Sequence, residues 1–373
     1  MHASDKSMGK DNIEELQARM DEQRAKSSEE RLRTNVYKQL ALACDRRGRA
    51  LATLDNAILT LERHPEWEGK FSFDLFRREA RAAGAPLRES TYLETAAWFT
   101  GPFGIYKMPY GTVARAIDAV VERHAVNPVV AWLEGLSWDG IERLPTLAAD
   151  GFGCDQSEYT EAVGRCFLIS MVARALVPGC QVDTLPVLEG PQGLGKSSAL
   201  AVLGGEYYKA LPMAFGSKDF LQALDGVWLA EIPDLSGFRG RDIEHVKAMI
   251  TVREDRYRRA YDRRAGVWPR QGVFAATANR DDWQEDETGG RRFLPLNCRE
   301  INLDYLSLNR EQLFAEAVAR YRKRESWWNV PAMLAKREQD ERAPDDPWTD
   351  AVLSWVDRSS QVSVPEILGG ALE

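Results

Sequence analysis

Residues Gly190-Pro191-Gln192-Gly193-Leu194-Gly195-Lys196-Ser197 fit the pattern G-x-x-x-x-G-K-[ST] at every fixed position. The apolar run Leu185-Pro186-Val187-Leu188 precedes them, and Ser198-Ala199-Leu200-Ala201-Val202-Leu203 follows, closed by Gly204-Gly205. The first run has the length of a buried strand and the second is good helix-forming material, so the pattern predicts strand, glycine loop, helix. Glycines let backbone N–H groups curl around phosphate oxygens, and the helix N-terminus adds partial positive charge. Lys196 is then expected at the β- and γ-phosphates, and the Ser197 hydroxyl on Mg²⁺. The nucleotide contacts are expected from Gly190, Gln192, Gly193, Leu194, Gly195, Lys196, Ser197 and Ser198. The ligand these residues imply is a nucleoside triphosphate, ATP with Mg²⁺. The plainer reading is a glycine turn that binds nothing.

Working outward, two further apolar runs sit at α/β spacing, Val227–Ile232 and Gly272–Thr277, separated by helical segments. A phosphate loop needs a carboxylate at the tip of a neighbouring strand to hold Mg²⁺ or its water and to polarise the attacking water. Glu231, ending Val227-Trp228-Leu229-Ala230, is the first choice, with Asp234 in reserve; otherwise they are solvent-facing acids. The small-residue run Phe274-Ala275-Ala276-Thr277-Ala278 is expected between the other two strands, presenting Asn279 to the γ-phosphate or the lytic water. An Asn there also suits a simple turn. Gly289-Gly290 precede Arg291 and Arg292, at least one of which is a candidate arginine finger supplied across a subunit boundary. A surface ion pair or a DNA contact is the alternative.

The most basic segment, Arg253–Arg270, holds seven arginines interleaved with Tyr257, Tyr261 and Trp268 against Glu254, Asp255 and Asp262. Arginines among aromatics suit a loop that tracks phosphates and stacks bases; a solvated charged face is the rival. Upstream, residues 1–34 are charge-dense and read as a tail, an exposed helix or a linker. Residues 35–125 read as a mainly helical domain, with helical spacing over 40–64 (LALACDRRGRALATLDNAILTLERH) and 111–126 (GTVARAIDAVVERHAV). The stretches 69–79 and 101–109 read as short strands or turns. Helices are expected from Asn127-Pro128 onward and over 159–177. A P-loop core is assigned to 126–325. Residues 326–373 read as a charged helix, MLAKREQDER, and a tail ending in VSVPEILGGALE.

With 373 residues, 44% of them hydrophobic and 28% charged, the composition is that of a soluble globular protein. No apolar run approaches a membrane span and the N-terminus is not a signal peptide, so no membrane partner is expected. Five scattered cysteines without a C-x-x-C pair argue against a zinc ribbon or disulfide framework and suit a cytoplasmic location. The net charge of −8 makes any DNA contact a matter of a local patch.

With these elements in this order, the chain resembles the virulence-associated protein E family of mobile-element ATPases, related to superfamily 3 helicases. The resemblance covers roughly residues 125–300. It rests on NPVVAWLEGLSWDGIERL (127–144), VARALVPGCQVDTLPVLEGPQGLGKSS (172–198), SKDFLQALDGVWLAEIPDL (217–235), VKAMITVREDRYRRAYDR (246–263) and TANRDDWQEDETGGRRFLPL (277–296). It implies an α/β P-loop NTPase core of AAA+ or superfamily 3 helicase type behind the helical N-terminal domain. The implied activity is that of an ATP-hydrolysing DNA helicase or translocase in phage or island replication. The implied assembly is a homo-oligomer, a hexameric ring, on single-stranded or forked DNA, with replication proteins as partners. Lys196 and Ser197 would take the phosphate-loop roles, Glu231 the acidic-strand role, Asn279 the sensor role and Arg291/Arg292 the finger. Around Lys247–Arg264 the family relation implies a pore hairpin on DNA, with Lys247, Arg258, Arg259, Arg263 and Arg264 as contacts. Longer relatives carry an upstream primase-like domain, but no zinc-ligand cluster or carboxylate pair here supports primer synthesis. The C-terminal stretch resembles the start of a winged-helix-like tail. A replication initiator or helicase loader, a non-catalytic interference protein, and a small-molecule kinase remain as alternatives.

Overall fold

In the computed structural model, residues 7–211, 217–235, 238, 241–258, 265–279, 290–340 and 342 are described. The chain divides into two compact units, Met1–Pro128 and Val129–Glu373.

In the first unit α1 (Ser7–Gln39) runs through the charged stretch and past residue 34. Tyr37 near its end and Leu40 just beyond it are buried in the unit's core. The helical reading of residues 40–64 is corrected in its first half. Asp45 Oδ1 accepts hydrogen bonds from the backbone N–H of Arg47 (2.8 Å) and Arg49 (3.0 Å), and Gly48 takes φ 77°, so the chain turns back there. Only Leu54–Arg63 forms a helix, α2. The Thr53 side chain caps it by accepting from the Asn56 N–H, and Ala57, Ile58 and Leu61 lie on its buried face. The strands β1 (Phe71–Asp74), β2 (Glu79–Ala82) and β3 (Ala85–Pro86) follow, then α3 (Glu89–Thr100), α4 (Tyr110–Arg123) and β4 (Ala125–Val126). The sheet order is β3-β2-β1-β4; β1 falls in the stretch 69–79 expected as strands or turns, whereas the rest of this four-stranded sheet in a mainly helical unit was not expected. Its strands are two to four residues long, too short for an alternating pattern to register, and β4 pairs with β1 from about fifty residues away. Residues 101–109 form turns rather than a strand, and anchor Phe103, Ile105 and Met108 in the core.

The second unit opens with α5 (Pro128–Gly135), α6 (Leu147–Phe152) and α7 (Glu158–Leu176), the last capped by a reciprocal Ser157–Thr160 box. Then come β5 (Leu185–Glu189), α8 (Lys196–Gly204), β6 (Tyr208–Ala210), α9 (Lys218–Ala223), β7 (Leu229–Ile232) and α10 (Arg241–Thr251). The hairpin β8 (Glu254–Tyr257) and β9 (Gly266–Pro269) precedes β10 (Val273–Ala278), β11 (Phe293–Asn297), α11 (Leu303–Arg322) and α12 (Ala332–Asp340).

Five strands form one parallel sheet in the order β11-β5-β10-β7-β6. Strands β5, β7 and β10 are buried along their whole length, as unbroken apolar runs between two helical layers must be. On one face Leu185, Val187, Ala230, Ile232, Phe274 and Ala276 pack with Phe220 of α9 and with Val246 and Ile250 of α10. Helices α7 and α8 contact the same central strands, and Trp228 Nε1 donates to the Met171 carbonyl of α7 (2.9 Å). Strand β11 is an edge, and α12 covers it: Gln339 Nε2 donates to the Phe293 carbonyl at 2.8 Å.

The LSWDGIERL stretch has a structural role. Arg143 forks onto Asp139 (2.9 and 2.8 Å), and the N–H groups of Arg143 and Leu144 donate to the fully buried Glu316 of α11 (2.6 and 3.0 Å). Arg320 Nε donates to the other Glu316 oxygen at 2.8 Å, so the buried carboxylate is charge-paired as burial requires.

Candidate active site

The glycine loop leaves β5 at the carboxyl end of the sheet and enters α8. Gly190, Gly193 and Gly195 have φ values of 147°, 84° and 96°, which L side chains rarely adopt, so the two fixed glycines of the pattern are required by the backbone itself. A Cβ on Gly190 would also lie 2.7 Å from the Cys298 carbonyl oxygen. Gly195 is the N-cap of α8 and no side chain caps that helix, which leaves its first N–H groups turned toward the loop.

Lys196 folds back over this loop. Its Nζ donates to the carbonyls of Gly190 (2.6 Å) and Pro191 (2.9 Å) and to Asn279 Oδ1 (3.4 Å). Burial holds its ammonium below the ordinary lysine pKa, while Cys298, Asp234 and Glu231 act in the opposite sense.

Glu231, on β7, is 1% exposed and bonded at both oxygens. Oε1 accepts from Ser197 Oγ at 2.7 Å and from Thr277 Oγ1 at 3.0 Å, and Oε2 accepts from the Tyr208 hydroxyl. Three elements, α8, β10 and β6, thus fix one carboxylate. Burial first, and then the bond to Glu231, push the Tyr208 hydroxyl pKa well up, which keeps it a donor. Asp234 has φ 51° and its N–H donates to Thr277 Oγ1 at 3.3 Å, so it sits one bond behind Glu231. Strand β10 lies between β5 and β7 and delivers Thr277 and Asn279 to the same end.

Beneath the loop, Arg342 Nε lies 2.7 and 2.8 Å from the two oxygens of Glu189, the residue before Gly190. Both are buried, and removing one partner of such a pair costs about 3–5 kcal/mol. Neither Tyr208, Thr277 nor Arg342 is marked by a motif. Thr277 was visible only as part of a small-residue strand, and Arg342 only as one charge in MLAKREQDER.

Other expected residues lie elsewhere. Arg291 and Arg292 form a short 3-10 turn before β11. Because Phe293 pairs with Leu185 and Asn297 with Glu189, that turn is at the amino end of the sheet. The five residues of β5 separate it from the glycine loop by about 16 Å. Arg291 is exposed and Arg292 half-buried.

The β8–β9 hairpin stands at the same amino end. Its root is fixed by the Arg270–Asp255 fork (2.8 Å for both bonds) and by Arg253 Nε donating to the Gly179 carbonyl (2.7 Å). Arg253 and Arg270 are therefore structural, which removes two charges from the basic segment as counted in the sequence. Arg258 is exposed on the hairpin, whereas Arg259, Arg263 and Arg264 lie outside the described residues. Lys247 is a correction: it is 5% exposed on α10 and pairs with Glu244 at 2.9 Å, because the apolar face of that helix carries it inward.

The donor set at Ser197 and Glu231 is hard oxygen, as Mg²⁺ prefers. Among the described residues no group of three or more His, Cys, Asp or Glu forms a protein-only cage. Mg²⁺ held through one or two side chains plus substrate phosphates fits that donor set. Among the described residues no helix is long and apolar enough to cross a membrane.

The fold and site define a class: a mixed α/β unit with a parallel sheet and a glycine loop at the sheet's carboxyl end. Residues 133–345, more than half of the chain, match the virulence-associated protein E-like domain, and the chain belongs to that family. No curated protein matches the chain. Among solved structures, the apo structure of the NrS-1 C-terminal region (305–718) is similar at 13% identity, covering 61% of this chain and 57% of that one, with a TM-score of 0.42. The A-form apo structure of that region matches at the same identity and coverage with a TM-score of 0.41. The chain thus spans little more than half the length of that region.

Proposed function

We propose that the second unit is a P-loop ATPase of superfamily 3 helicase type, acting as a DNA helicase or translocase in the replication of a mobile genetic element. One observation carries this reading: Glu231 and Asn279, far from the glycine loop in sequence, bond directly to its Ser197 and Lys196. Family membership supports the mobile-element context.

In this reading the loop N–H groups and the start of α8 receive the phosphates of ATP. Lys196 exchanges the carbonyls of Gly190 and Pro191 for the β- and γ-phosphate oxygens. Ser197 and Glu231 would hold Mg²⁺, which would supply positive charge to offset that of the phosphates. Glu231, fixed by Thr277 and Tyr208, accepts the proton of the attacking water, and Asn279 orients that water. Arg291 or Arg292 acts on the nucleotide of a neighbouring copy in a ring, and the β8–β9 hairpin contacts single-stranded or forked DNA.

The test is phosphate release from ATP by the full chain, with and without single-stranded DNA. The Lys196→Ala protein is measured beside it, with thermal melting as a control of folding. Turnover that falls to background in a folded Lys196→Ala protein is the expected result. Undiminished turnover would remove the assigned site.

A further inference from the structure

Where β11 ends, residues 298–302 cross above the glycine loop. Gly190 abuts the Cys298 carbonyl, and a Cβ on Gly195 would lie 3.7 Å from the Ile301 side chain. The same segment docks on the end of α6: Asn302 N–H donates to the Gly151 carbonyl at 3.0 Å. Gly153, at φ 65°, approaches Glu300 so closely that a Cβ would lie 2.4 Å from its carbonyl oxygen. Between these two segments opens a cleft of about 610 Å³. It is lined by Ala149, Asp150 and Gly153 on one side and by residues 300–304 on the other.

We infer that this cleft is the nucleoside site, receiving the sugar and base of the triphosphate whose phosphates lie in the glycine loop. The inference rests on the phosphate-loop reading and adds what that loop cannot supply, a place for the uncharged end of the ligand. The volume is within the range of small-molecule sites, about 300–1,000 Å³. Ile301 belongs both to the cleft and to the contact with Gly195, so the cleft begins where the loop enters α8.

The lining chemistry selects the ligand's end. Asp150, Glu300 and Asp304 are carboxylates and, among the described residues, no basic side chain lines the cleft, so a phosphate is repelled from it. Carboxylates accept hydrogen bonds, which suits ribose hydroxyls and exocyclic base amines. Ala149, Ile301 and Leu303 offer apolar surface to a base face.

The experiment compares binding of ATP and of inorganic tripolyphosphate, each with Mg²⁺, to the full chain and to Ala149→Trp, Asp150→Ala and Lys196→Ala. In the unmodified protein ATP binds about tenfold or more tighter than tripolyphosphate. Ala149→Trp fills the cleft and brings ATP down to the tripolyphosphate level, while tripolyphosphate affinity is unchanged and so reports an intact loop. Asp150→Ala narrows the gap in the same direction, and Lys196→Ala weakens both ligands alike. If both ligands bind and neither cleft variant changes their ratio, the nucleoside site is wrong and the phosphate loop stands. If neither ligand binds the unmodified protein, the phosphate-loop reading fails and takes this inference with it.

Discussion

At the carboxyl end of the parallel sheet, Lys196 bonds to Asn279, and Ser197, Thr277 and Tyr208 all bond to Glu231. At the amino end, about 16 Å away along β5, stand Arg291, Arg292 and the β8–β9 hairpin. The first end is internally bonded: its carboxylate accepts three hydrogen bonds and its lysine already holds three acceptors. The second end offers exposed cations, Arg291 and Arg258 among them. This contrast teaches that one chain does not bring its own arginine pair to its own loop. Under the proposed function, the arginines complete a site only when the amino end of one copy meets the carboxyl end of another.

The arginine pair gives the largest expected effect. An Arg291→Ala/Arg292→Ala protein binds ATP normally and hydrolyses it about 10³–10⁵ more slowly, because only charge developing in the transition state loses its partner. Mixed with Lys196→Ala protein, also inactive alone, it regains partial turnover at interfaces that join an intact loop to intact arginines. Full activity of the double variant alone would show that the two ends do not cooperate. So would the absence of rescue between subunits that demonstrably exchange.

A smaller effect tests the carboxyl end. Tyr208→Phe removes one donor to Glu231 Oε2 and leaves the two bonds to Oε1. Turnover falls about 10- to 100-fold, with ATP affinity unchanged, in keeping with a hydrogen bond to a charged group worth about 1.5–3 kcal/mol. An unchanged kcat would mean that Glu231 is positioned without Tyr208.

The smallest effect concerns the amino end. Arg258→Ala weakens single-stranded DNA binding to unrelated sequences alike, and lowers the slope of log affinity against log salt by about 0.7. A slope that does not change would mark the hairpin as a solvated face.

The two ends were also unequally legible in the sequence. Strands β5, β7 and β10 stood out as apolar runs because they are buried on both faces, and Lys196, Glu231 and Asn279 follow from their place at loop or strand ends. Tyr208 did not, because nothing in Tyr207-Tyr208-Lys209 says which neighbour the edge strand β6 will meet. Arg342 was one of several charges on a solvent-like helix, and only the folded chain lays it against Glu189. Around the hairpin, summed charge misled: Arg253 and Arg270 counted toward a nucleic-acid surface yet hold the hairpin root, and Lys247 is buried on α10 beside Glu244. In the first unit, a three- to four-residue apolar spacing continued through the Asp45 turn, so one helix was read where a turn precedes a shorter one.

The central claim is that the buried carboxylate beside the glycine loop activates water on a bound triphosphate. Glu231→Gln tests it most directly, because the amide keeps the shape and an acceptor for Ser197 and Thr277 but cannot take a proton. ATP binding by calorimetry and phosphate release are measured on the same preparation. The account predicts ATP affinity within about threefold of the unmodified protein and turnover lower by about 10²–10⁴. Turnover retained at the unmodified rate in Glu231→Gln would contradict it.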